Sequence, residues 1–167
     1  SFIKYINFKL INNNLLDRYM NFLLTGGAGY IGSHAALSLL DAGHNVHIID
    51  DLSTGNESLI PKNAFFTNCN ISDEKVISEL IKSNSFDLLM HFAGFIQVEE
   101  SVKYPQKYFD NNTENATKLF ETCKNNGLNK IVFSSTAAAY GSVSENKLID
   151  ENTNLNPQNP YAESKIK

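Results

Sequence analysis

At 167 residues, with 42% hydrophobic and 19% charged side chains, the chain has material for one domain with a real core, and its composition argues against disorder. A formal net charge of −4 without any basic cluster argues against nucleic acid or an anionic membrane as the main partner, and no apolar run is long enough to span a bilayer. Two cysteines, Cys69 and Cys123, lack metal-ligand spacing, so reduced thiols in a cytoplasmic protein are expected and no metal site is.

The first 19 residues stand apart. Apolar residues mixed with Lys4 and Lys9 run into Asn12, Asn13 and Asn14, with no small-residue cleavage site and no uninterrupted apolar stretch of signal-peptide length. Met20 directly precedes the first strand. The expectation is a leader or appendage over residues 1–19, not native to the domain, or else an extra helix on the sheet edge; the dinucleotide-binding domain then occupies residues 20–167.

Residues 21–24 read as a short buried strand, and residues 35–40 as a helix. Between them Gly26, Gly29 and Gly32 recur at intervals of three. Glycine suits a sharp strand-to-helix turn, close approach of backbone to a pyrophosphate, and tight packing of helix on strand. The helix N-terminus then offers free N–H groups and partial positive charge to phosphates. A second strand over residues 46–50 ends in Asp50, placed to accept hydrogen bonds from an adenosine ribose. Asp51 follows, and the acidic pair favours NAD over NADP by repelling a 2′-phosphate.

Residues 51–56 form a polar, turn-rich loop, and residues 64–67 a third strand. Ser72, Asp73 and Glu74 cap a helix running to about Lys82, with Val76, Ile77, Leu80 and Ile81 as its apolar stripe. The fourth strand spans residues 86–91 and exits through Phe92, Ala93 and Gly94, small enough at the end to admit a ligand. His91, among apolar neighbours, reads as a packed strand residue rather than a catalyst. One long helix is expected over residues 105–126, its face supplied by Tyr108, Thr113, Ala116, Leu119, Phe120 and Cys123, with Gly127 as the stop. The fifth strand, residues 130–135, ends in the hydroxyl cluster Ser134, Ser135 and Thr136. A polar loop through Asn152, Asn154 and Asn156 follows, and a helix begins at Tyr161. Strands alternating with helices indicate an α/β fold, a doubly wound parallel sheet of Rossmann type with right-handed crossovers.

Tyr161 and Lys165 are four residues apart and share a helix face. A phenol is a poor base at neutral pH, but a neighbouring ammonium and a cationic nicotinamide ring favour phenolate. Downstream of a dinucleotide fold and a hydroxyl cluster, the pair reads as catalytic, with the Thr136 hydroxyl available to a substrate oxygen.

From Met20 to Lys167 the chain resembles the extended short-chain dehydrogenase/reductases, and among them the UDP-glucose 4-epimerase family. The segments carrying the resemblance are residues 25–34, 50–56, 91–94, 100–102, 108–112, 133–141 and 159–165. The combination of His91-Phe92-Ala93-Gly94 with Ser134-Ser135-Thr136-Ala137 is the most particular to the epimerases. The resemblance implies a tightly bound NAD held by Gly26, Gly29, Tyr30, Ile31, Gly32, Asp50, Asp51, Thr54, Gly55, Asn70, Ile71, Phe92, Ala93, Gly94, Asn111, Ser134, Tyr161 and Lys165. It implies that Tyr161 takes the proton of the sugar 4-hydroxyl as hydride passes to NAD, that the 4-keto sugar turns over, and that hydride returns to its other face. Thr136 orients the 4-oxygen, and Lys165 holds the nicotinamide ribose. The implied partner is a UDP-hexose, UDP-glucose or UDP-galactose, and the full-length family forms homodimers.

There are departures. Cys69 and Asn70 stand where the family has Gly-Asp, leaving the Asn70 side-chain oxygen to accept from the adenine amino group more weakly than a carboxylate. Glu99 replaces a glycine, and Ile96 a lysine of some relatives. Family members continue through a nucleotide-sugar domain, so the expectation is an N-terminal fragment with little or no activity alone. The rivals are another nucleotide-sugar epimerase or dehydratase, disfavoured because Ala137 and Ala138 stand where a dehydratase has Asp-Glu, and a non-catalytic dinucleotide-binding remnant.

Overall fold

The computed structural model describes residues 19–142 and 148–167. Apart from Tyr19, the expected leader lies outside the described residues. Five parallel strands form one sheet in the order β3-β2-β1-β4-β5: β1 (Asn21–Thr25), β2 (Asn45–Asp50), β3 (Phe65–Asn68), β4 (Leu88–His91) and β5 (Ile131–Phe133). The order reverses between β1 and β4, the topological switch point where open α/β sheets bind ligands.

The central strands are near-continuous apolar runs because both sheet faces are covered. Side-chain alternation divides them. Phe22, Leu24, Val46, Ile48, Leu88 and Met90 pack with Ala35, Ala36 and Leu39 of α1 (Tyr30–Asp41). Leu23, Ile49 and Leu89 point the other way, onto Ile77 and Ile81 of α2 (Glu74–Ser83) and Leu119 and Cys123 of α5 (Ala116–Asn125). Asp73 caps α2 by accepting from Val76 N–H at 3.1 Å. Of the expected stripe, Ile77 and Ile81 are buried, while Val76 and Leu80 are half-buried.

Several elements differ from expectation. Helix α1 begins at Tyr30 rather than residue 35, because Gly29 in extended conformation already serves as its cap. A six-residue helix, α3 (Val98–Lys103), is too short to show in apolar periodicity. The single helix expected over residues 105–126 is three segments end to end: α4 (Pro105–Tyr108), a π-helical turn (Phe109–Asn115) and α5. The widened turn carries Asn111, Asn112 and Thr113, whose side chains bond to groups outside their own backbone ladder. Strand β5 is three residues long instead of six. It is the sheet edge, with Ile131, Val132 and Phe133 each 36–39% exposed. Beyond it, Ala137–Tyr140 form a 3₁₀ turn capped by Thr136, where only loop was expected. The last helix, α6 (Pro160–Ser164), is capped by Asn159, which accepts from Ala162 N–H at 2.8 Å. Among the described residues, no helix is long and apolar enough to cross a membrane.

Candidate functional site

The glycine turn makes the floor of the site. Gly26 has φ +73°, and a Cβ there would lie 2.4 Å from the Ala93 nitrogen, so the chain leaving β1 passes close to the chain leaving β4 only because Gly26 has no side chain. A Cβ on Gly32 would meet the Gly26 carbonyl oxygen at 2.1 Å, so only glycine lets the first turn of α1 sit on the loop. That turn has no side-chain cap and no acidic residue, which leaves its N–H groups and dipole available to an anion. Asp50 holds the loop: its carboxylate accepts from Ala28 N–H and Leu52 N–H, each at 2.9 Å. A carboxylate has acceptor capacity beyond two bonds, so Asp50 remains able to receive ribose hydroxyls.

Around this floor runs a cleft of about 860 Å³ over the carboxyl ends of the strands. Every residue expected to bind the cofactor lines it: Gly26, Gly29, Tyr30, Ile31 and Gly32 from the glycine loop and α1; Asp50, Asp51, Thr54 and Gly55 after β2; Asn70 and Ile71 after β3; Phe92, Ala93 and Gly94 after β4; Asn111 from the π-helical turn; Ser134 after β5; and Tyr161 and Lys165 at α6. Residues 139 positions apart in the chain, Gly26 and Lys165, thus face one space. The volume of the cleft, its lining from the β2 exit to α6, its unblocked glycine floor and its anion-ready helix end fit an extended dinucleotide diphosphate.

At the β2 end, Asp51 accepts from Ser53 N–H (2.9 Å), Ser53 Oγ (2.6 Å) and Asn70 Nδ2 (2.7 Å). Partial burial opposes ionisation of Asp51, but the bonds from Ser53 and Asn70 outweigh it and hold its carboxyl below the usual range. Asn70 corrects an expectation. Its Oδ1 accepts from both Ser72 N–H (3.0 Å) and Ser72 Oγ (2.8 Å), so the oxygen expected to meet an adenine amino group is already saturated in a local turn. Cys69 lines the cleft beside it, its thiol pushed up to about 11 by burial and then by the charges of Asp73 and Asp51.

At the other end, Lys165 immediately follows α6 and is buried, 7% exposed, with Nζ 4.4 Å from the centroid of Phe133. Burial pulls its ammonium down to about 8. His91 is fully buried, stacked on Phe133, with Nδ1 2.6 Å from Thr25 Oγ1. Burial and then the Lys165 charge push its pKa down to about 3, so it is neutral, a packed strand residue. Tyr161 is half-buried and meets the ring of Tyr108 edge-on at 6.4 Å. Thr136 is not in this cleft. It lines an adjoining cavity of about 570 Å³, and its Oγ1 accepts from Ala138 N–H at 3.2 Å as the 3₁₀ cap.

The sequence reading overlooked the polar supports. Tyr108, expected as an apolar contact, is fully buried yet polar in use: its hydroxyl donates to Glu100 Oε2 (2.9 Å) and accepts from Gln97 N–H (3.0 Å). Glu100 in turn pairs with Lys107 at 2.7 Å. Asn112 was unassigned; two adjacent asparagines inside a helical pattern, where such residues are poor formers, were the available signal.

Comparison with known proteins agrees with this geometry. The family model described as the NAD dependent epimerase/dehydratase family matches residues 22–167. The UDP-glucose 4-epimerase of Lactobacillus helveticus is 41% identical over 147 residues, covering 88% of this chain and 44% of that protein. UDP-arabinose 4-epimerase 1 of Arabidopsis thaliana is 38% identical over 86% of this chain and 36% of its own length. The crystal structure of UDP-glucose 4-epimerase from Brucella ovis in complex with NAD superposes with a TM-score of 0.83 at 35% identity, covering 88% of this chain and 45% of that one. The chain therefore spans less than half the length of the relatives it matches.

Proposed function

This chain belongs to the NAD dependent epimerase/dehydratase family, and we propose that it is the NAD-binding half of a UDP-glucose 4-epimerase, interconverting UDP-glucose and UDP-galactose when joined to a nucleotide-sugar domain. The observation that carries this is the convergence of the glycine floor, Asp50, Tyr161 and Lys165 on one cleft. NAD, when bound, supplies the acceptor and donor of hydride at sugar carbon 4.

The chain's own residues divide the remaining work. The α1 N-terminus takes the diphosphate, and Asp50 the adenosine ribose. The ionised Asp51 beside it opposes a 2′-phosphate and so favours NAD over NADP. Tyr161 accepts the proton of the 4-hydroxyl and returns it after the sugar turns. Lys165 holds the nicotinamide ribose and favours the phenolate through its charge. Asn111 and Ser134 complete the cofactor wall. Thr136, one cavity away, orients the 4-oxygen only once substrate or the nucleotide-sugar domain brings the two cavities together. Ala137 and Ala138 provide no acid for dehydration, which supports epimerisation. A homodimeric full-length assembly follows from the resemblance, and a cytoplasmic location from the two free thiols.

Two measurements test this. The chain should bind NAD at least tenfold more tightly than NADP. Fused to the C-terminal half of the L. helveticus relative, it should convert UDP-galactose to UDP-glucose, and Tyr161→Phe should abolish conversion while NAD remains bound. Absence of NAD binding overturns the cofactor reading; full activity of Tyr161→Phe overturns the mechanism alone.

A further inference from the structure

The cleft is poor in positive charge. Asp50, Asp51, Glu99 and Glu100 line it with carboxylates, and among the described residues only Lys107 and Lys165 line it with ammonium groups. Lys165 is buried, 7% exposed, at the end assigned to the nicotinamide ribose. Among the described residues, that leaves Lys107 as the cation of the remaining wall. A diphosphate in this cleft meets the bare N-terminus of α1, which carries a partial charge only. The rest of its negative charge needs another partner.

Lys107 stands where that partner is needed. It belongs to α4, and its ammonium lies over the ring of Phe95, 4.4 Å from the centroid. Phe95 is held at both its N–H (2.8 Å) and its C=O (2.9 Å) by Asn112, so the ring is a fixed platform. Two residues before it, the Ala93 nitrogen would lie 2.4 Å from a Cβ on Gly26. The platform under Lys107 is thus continuous with the glycine floor, and the ammonium and the first turn of α1 border one space. Ile96, next along the chain and 67% exposed, brings no charge there.

Lys107 can also change partner cheaply. It now pairs with Glu100 Oε1 at 2.7 Å, the two side chains being 43% and 35% exposed. An ion pair so open to water contributes little, and the lysine stem is flexible. Glu100 Oε2 keeps the bond from the Tyr108 hydroxyl whether or not Lys107 stays.

We propose that Lys107 is a second diphosphate-binding residue, which leaves Glu100 when the dinucleotide enters and closes on the diphosphate from the wall built on the β4 exit. This rests on the NAD-binding reading above and adds to it the counter-charge that the α1 N-terminus lacks. Its effect is confined to ligands that carry the diphosphate.

The test is calorimetric titration of the chain with NAD, with ADP and with adenosine, which has no phosphate, using wild type, Lys107→Met, Lys107→Gln and Glu100→Gln. Both Lys107 variants should bind NAD and ADP about fivefold more weakly at low salt and adenosine unchanged. At roughly 0.5 M salt that gap should narrow, because open charges are screened. Glu100→Gln breaks the ion pair but keeps the ammonium, so it should bind NAD as well as wild type or better. A merely structural ion pair would make Glu100→Gln as damaging as Lys107→Met. Unchanged NAD affinity in the Lys107 variants, a loss for adenosine equal to that for ADP, a gap that salt leaves untouched, or an equal loss in Glu100→Gln overturns the proposal. Wild-type chain that binds neither NAD nor ADP overturns the NAD reading and this inference with it.

Discussion

Lys165 Nζ lies 4.4 Å from the ring centroid of Phe133, and among the described residues no carboxylate pairs with it. An ammonium so buried leans on the aromatic face and on whatever enters the cleft. Burial draws its pKa from 10.5 to about 8, so between those values the folded chain binds fewer protons than the unfolded one. The contribution of Lys165 to stability then rises with pH across that window, and the penalty for burying the charge is fully present below about pH 8. We predict a gain from this group of up to about 3 kcal/mol across it. Cys69 and Cys123, each pushed up to about 11 by burial, act in the opposite sense above pH 9, where the unfolded thiols ionise first, and Tyr108, pushed up to about 12 by burial and by Glu100, joins them above pH 10. The difference in urea midpoint between Lys165→Met and wild type should therefore shrink steadily from pH 7 to 10. A difference that does not change with pH would remove Lys165 as the cause.

Two glycines with similar backbones should respond differently to alanine. Gly26 (φ +73°) would put a Cβ 2.4 Å from Ala93 nitrogen, whereas Gly43 (φ +86°) has nothing within 4 Å. Gly43→Ala should lose only about 1 kcal/mol to left-handed strain and keep NAD binding. Gly26→Ala adds a backbone overlap and should lose on the order of 3 kcal/mol or more, together with NAD binding. Equal stability losses would mean that close approach is not what requires glycine at the cleft floor.

The engaged oxygen of Asn70 leads to a prediction about base recognition. That oxygen is held by Ser72 and cannot accept from a purine 6-amino group, while one of the two amide N–H groups donates to Asp51. The beside-lying Cys69, protonated at neutral pH, is a weak donor. We predict that nicotinamide hypoxanthine dinucleotide, with a 6-oxo group, binds within about threefold of NAD, and that Asn70→Asp restores a preference for the 6-amino group worth about 1 kcal/mol. A tenfold preference for NAD in wild type would show that another group reads the amine.

Strand β5 presents Ile131, Val132 and Phe133 at the sheet edge, each more than a third exposed. An apolar edge with unpaired backbone groups invites strand addition. Val132→Lys should lower self-association of the chain in sedimentation velocity without shifting its NAD affinity. Unchanged association would place the sticky surface elsewhere.

The legible part of the molecule was local. The spacing of Gly26, Gly29 and Gly32 marked a strand–turn–helix, and the near-continuous apolar runs at residues 22–24 and 46–49 marked strands covered on both faces. The capped helix after Asp73 followed the same short-range logic. The engagement of the Asn70 oxygen was also legible in principle, since Asn-x-Ser is an Asx-turn pattern. The resemblance, not the geometry of a pattern, supplied Asn111 and Ser134. The π-helical turn and α3 escaped because neither contains enough turns to impose an apolar period.

By itself the sequence determined the fold class, the glycine floor and the one-turn spacing of Tyr161 and Lys165, because those follow from periodicity and from positions a few residues apart. Tertiary structure alone decided that Asn112 serves Phe95, 17 residues before it, and Ser164, 52 residues after it. It alone put Thr136 in a neighbouring cavity and Lys165 over Phe133. A buried amide takes whatever partners the packed chain brings within 3 Å, and no rule of local spacing states which those are.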